Sequence, residues 1–169
     1  MDPVPIATVI LLVIVVANVV AIVPSARLSD RIGRKPVIYA SCVVGSIGVG
    51  LVALAPTVYP YALIGAALFG ASGGTFLAVD WALMTDIIPK ASSGRYMGLS
   101  NVATTSSSLF AVASGGILLD LVNVALGVGV GPRAAFLLGA AYYVVAAITL
   151  RPVVEPPRSE RRAAGIPMG

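Results

Sequence analysis

Five uninterrupted apolar runs constrain this chain more than any other feature. They cover Val4 to Val23, Val37 to Ala55, Tyr61 to Ile88, Met97 to Leu119 and Ala134 to Leu150. A helix needs about 20 apolar residues to cross a hydrocarbon layer ~30 Å thick. Each run is near that length. Only 11% of residues are charged and 58% are hydrophobic. A water-soluble domain of this size lacks the volume to hide so much apolar surface. The expectation is an all-α polytopic transmembrane bundle of five spans over residues 1–155, with a disordered cytoplasmic tail over 156–169. A cleaved leader is the competing reading of the first run. It fails on its flanks, because Asp2 precedes the run and the basic residues follow it.

The charges are segregated. The segment 24–36 holds Arg27, Arg31, Arg34 and Lys35; the segment 89–95 holds Lys90 and Arg95; the tail from Arg151 holds Arg151, Arg158, Arg161 and Arg162. In a five-span weave these three segments share one side. The other side has Arg133 alone. The positive-inside rule then places the N-terminus outside and the C-terminus in the cytoplasm of a cell membrane. The net charge of +4 is therefore a topology signal. It forms no basic face interleaved with aromatics, so no nucleic acid is expected.

Several enzyme classes are excluded by composition. There is no histidine, which removes His-dependent triads and most zinc sites. Gly70-Ala71-Ser72-Gly73-Gly74 fits a nucleophile-elbow pattern, but mid-helix and without a base. The single cysteine, Cys42, reads as a small core residue. The expectation is no enzyme, no cofactor and no metal.

Packing signals are plain. Ala62, Ala66, Gly70, Gly74, Ala78 and Ala82 recur every fourth position, a small-residue ridge for close helix approach. Asn18 is expected to act as interhelical glue. Asp80 and Asp86 are costly in the third run. Asp80 has two readings: a site for a proton or other cation, or a structural ion pair. On the fourth run, Asn101, Thr105 and Ser108 fall on one stripe. That stripe either lines a watered cavity or bonds to its own helix carbonyls.

Ala26-Arg27-Leu28-Ser29-Asp30-Arg31-Ile32-Gly33-Arg34-Lys35 resembles the G-x-L-[AS]-D-R-x-G-R-[KR] loop signature of the major facilitator superfamily, with Ala26 in place of the first glycine. In that family the loop joins the second and third helices of a six-helix half. Asp80 to Gly98 is similar to the region between the fourth and fifth helices, in the glycoside–cation symporter and sucrose-transporter-like branch, mostly its second half. The resemblance implies alternating-access transport of a small solute, coupled to a proton or cation, with a sugar or glycoside as substrate class. It maps the five runs onto helices two to six of one half, the second in preference to the first. Helix one and the other half would come from elsewhere, through a longer protein or a partner.

The same resemblance implies a gate of Asp30, Arg31, Gly33, Arg34 and Lys35. Asp30 would cap a helix of the other half, and Arg34 would pair with Asp86 in preference to Asp80. Asp30 is thus the residue expected to stand unpaired in this chain alone. Arg27, Arg31 and Lys35 can equally serve topology and lipid-headgroup contact. The alternative function is a non-transporting membrane assembly subunit that docks on a partner through the small-residue ridge.

Overall fold

The computed structural model describes residues 3–88 and 93–154. The loop expectation at Lys90 and the tail expectation over 156–169 lie outside the described residues. Within them the chain is helical: α1 Pro3–Ile32, α2 Arg34–Leu54, α3 Leu63–Ile87, α4 Ser93–Leu126 and α5 Val130–Thr149. All five are long and apolar enough to cross a membrane. Backbone polar groups have no partner in hydrocarbon, so each span must satisfy its own.

The helices pack side by side in the order α1, α3, α2, α5, α4. Hence α3 sits between α1 and α2, and α4 touches the bundle through α5. The core lies at the charged end. Val37, Ile38 and Cys42 of α2 meet Val79 and Leu83 of α3, with Tyr143, Ala146 and Leu150 of α5 packed alongside.

Small residues decide how closely α3 can be approached. A methyl group at Gly70 would run into the Ile14 carbonyl, and one at Gly74 into the Asn18 carbonyl. A methyl at Gly65 would sit 2.6 Å from the Gly48 oxygen, and one at Gly48 2.8 Å from the Gly65 oxygen. In lipid, dispersion between close backbones replaces the hydrophobic drive that joins helices in water. The middle of the ridge, Gly70 and Gly74, is therefore consumed inside the chain. That corrects the expectation of the ridge as a docking face for a partner, because α1 already covers it at Gly70 and Gly74.

Three boundaries differ from the sequence reading. First, the basic segment 24–36 is no loop. Residues 25–32 lack glycine and proline, so α1 continues through Pro24 to Ile32, and α2 starts at Arg34. Only Gly33 breaks the helix. Its φ of 107° and ψ of 157° belong to a region open essentially to glycine. Second, the expected connection from Asp120 to Pro132 shrinks to three residues. No breaker occurs before Gly127, so α4 runs to Leu126. Gly127 and Gly129 then turn the chain at φ of 103° and 100°. Asn123 fastens that turn, its Oδ1 accepting from the Gly129 and Gly131 amides at 3.1 and 2.9 Å. Third, the chain stays folded against the bundle beyond the end of the fifth run at Leu150, as far as Val153. Successive amides close back on α5, Arg151 N on Ile148 O and Val153 N on Leu150 O.

Candidate functional site

The elbow at Gly33 builds the site. Reversing the chain in one residue lays the first turn of α2 over the last turn of α1. Gly33 N still reaches Ser29 O at 2.9 Å. Arg34 is thereby folded back onto α1. Its Nη1 lies 2.6 Å from Asp30 Oδ1 and donates to Ser29 Oγ at 2.6 Å. Its Nε reaches Asp86 Oδ2, on the last turn of α3, at 3.4 Å.

Burial makes this cluster costly to disturb. Ser29 is fully buried, and its hydroxyl also donates to Ala26 O at 2.7 Å. The Asp86 side chain is 4% exposed and that of Arg34 13%. A guanidinium offers five donors in a fixed plane, so one Arg34 can hold two carboxylates and a hydroxyl together. A lysine, with its compact charge, could not span the same three acceptors. Lys35 points to another neighbour. Its Nζ donates to Arg151 O at 2.8 Å and to Val153 O at 2.7 Å. Arg27 and Arg31 are exposed on the final turns of α1.

The structure thus brings together Asp30, Gly33, Arg34 and Asp86. It corrects the expectation for Asp30, which is paired within the chain. The spacing was in the sequence: Asp30 and Arg34 stand four apart, a helical contact distance. What hid it was reading 24–36 as a loop. Ser29, missed as a site residue, is the floor of the cluster.

The remaining candidates are placed elsewhere. Asp80 is half-buried, and no hydrogen bond or ion pair reaches it among the described residues. By helical spacing it shares a face with Gly73 and Phe76. Those two residues line a cavity of about 240 Å³ with Cys42, Gly139, Tyr142 and Tyr143. Asn101, Thr105 and Ser108 are exposed on α4 and are not gathered around Asp80. Ser108 bonds to Thr104 O at 3.0 Å on its own helix, as Thr104 does to Ser100 O. Ser72, of the elbow-like pattern, is buried and donates to Ser41 O at 2.8 Å.

A short basic elbow, clamped by one arginine to an acid at the far end of the next helix, sits at one end of an apolar bundle. Residues 3–166 match the Major Facilitator Superfamily. The chain belongs to this superfamily. No curated protein and no solved structure matches it. As a superfamily member it is a major-facilitator-type transporter chain, and its five apolar helices make it a multi-pass membrane protein.

Proposed function

We propose that this facilitator chain supplies one helical bundle of an alternating-access transporter, and that the Arg34 cluster holds one of its conformations. The observation that carries this is Arg34 itself. It joins the α1–α2 elbow to the end of α3 through two carboxylates, with little exposure to water. Such a clamp favours one arrangement of the helix ends and must open or shift when the bundle rocks. Asp30 and Asp86 would share Arg34 in one state. In the other, Asp30 would turn to a helix supplied from outside these five.

The charged end faces the cytoplasm in this reading, with the N-terminus outside, because ten of the eleven basic residues fall on that side. The chain corresponds to helices two to six of the second half, and its partner is the other half. Asp80, a half-buried carboxylate without a partner in the described bundle, is the candidate for a coupling proton or cation. It lies one turn from Phe76 and the cavity beside Tyr142 and Tyr143. A sugar or glycoside is the proposed substrate class, on the resemblance of Asp80 to Gly98.

The test is uptake of radiolabelled glycosides into proteoliposomes holding the complete transporter. Asp30→Asn and Asp86→Asn should each cut uptake while membrane insertion stays intact; unchanged uptake sinks the clamp as a gate. Asp80→Asn should abolish uphill accumulation and spare counterflow. Accumulation at the parent level would make Asp80 structural.

A further inference from the structure

The residue next to Arg34 performs a second tie. Two side chains in sequence leave a helix about 100° apart. Arg34 therefore serves α1 and α3, and Lys35 serves α5. The last carbonyls of a helix have no partner within it, and a cation there also meets the negative end of the helix dipole. After α5 the chain makes one more turn, which leaves Arg151 O and Val153 O beside the Lys35 ammonium at 2.8 and 2.7 Å. Independently, the Val153 side chain packs on the core formed by Val37, Ile38, Cys42, Val79 and Leu83. So the segment after α5 is held twice, by Lys35 and by the shared core of α2 and α3.

We propose that Lys35 is a positioning residue that ties the end of α5 to the start of α2, beside the Arg34 cluster, so that α2, α3 and α5 move as one body at the charged end. This goes beyond the gate: it needs only the geometry of α2, α3 and α5, and holds or fails whatever Asp30 does. Among the described residues α4 contributes nothing to this tie. It meets the bundle along α5, through the Ser114–Tyr142 hydroxyl pair at 2.7 Å and the Asn123 turn.

The test is double electron–electron resonance on the full chain in nanodiscs, on a Cys42→Ser background. One pair of spin labels sits at Thr85 and Thr149, on the exposed charged ends of α3 and α5. A control pair sits at Leu54 and Leu137, exposed on α2 and α5 away from that end. Lys35→Met should broaden the 85–149 distance distribution on the order of twofold, because a helix end released from a local tie opens on its own. The 54–137 distribution should not change. Lys35→Arg, which keeps donors and charge, should restore the narrow 85–149 distribution. Three results overturn the proposal: an unchanged 85–149 width in Lys35→Met, equal broadening of both pairs, or Lys35→Arg as broad as Lys35→Met.

Discussion

Helices α3 and α4 are both apolar spans, yet they are stabilised in different ways. α3 buries Gly65, Ala66, Gly70, Ser72, Gly74, Val79 and Leu83 against its neighbours, whereas α4 buries no residue. The small residues of α3 are occupied by other backbones. Four hydroxyls of α4 are occupied by α4 itself: Thr104, Ser107, Ser108 and Ser114 bond to carbonyls of their own helix, and Ser114 alone of the four also meets a neighbour, Tyr142. Hydropathy does not separate the two cases. A span can be self-sufficient or interlocked at the same mean hydropathy, and only its neighbours reveal which.

Glycines give the largest contrast. Gly74→Leu forces a side chain into the Asn18 carbonyl and should cost about 3 kcal/mol, read as a lowered midpoint of unfolding in detergent. A Cβ added at Gly116 on α4 meets nothing within 4 Å, so Gly116→Leu begins in open space. It should change stability by less than about 0.5 kcal/mol. Equal effects at the two positions would erase the distinction between α3 and α4.

The next effect is at the foot of α3. Arg34→Gln leaves the Asp86 carboxylate and the Ser29 hydroxyl buried with one strong partner fewer. A loss of about 2 kcal/mol is expected from the stranded acid. Arg34→Gln combined with Asp86→Asn should recover part of it, since the more deeply buried of the two carboxylates is then neutral. A double variant no better than the single would show that the Arg34–Asp86 contact contributes little.

Smaller still is the hydroxyl pair. Ser72→Ala removes the bond from α3 to Ser41 O on α2 and should cost about 1 kcal/mol. The matching Ser108→Ala on α4 removes a bond to its own turn and should register close to zero. Below Ser72→Ala comes Tyr142→Phe, which deletes the hydroxyl contact to Ser114. About 0.5 kcal/mol is expected, typical of an interhelical hydrogen bond in a membrane. A loss above that of Ser72→Ala would mean that α4 is held more firmly than its exposure shows.

One contact of the Arg34 cluster is legible in the sequence. Arg34 and Asp86 were paired through the resemblance of the basic segment, and they stand 3.4 Å apart. The partner of Asp30 is hidden in the sequence, because a charged segment between two apolar runs has the composition of a loop, where an i to i+4 spacing carries no contact. The tie from Lys35 to Arg151 and Val153 was not legible at all. It joins residues more than a hundred positions apart through backbone oxygens, which have no signature in side-chain identity.

Length and apolarity alone determined that this chain forms five membrane-spanning helices, because hydrocarbon accepts no other backbone for segments of that kind. Charge placement alone sorted one end from the other. Tertiary structure decided what two of the periodic small residues of α3 are for: Gly70 and Gly74 seat α1. It also decided that Gly33 is an elbow and that Arg34 and Lys35 face different helices. Those outcomes depend on how close two backbones come. That distance is set jointly by both surfaces, so no single run of sequence can state it.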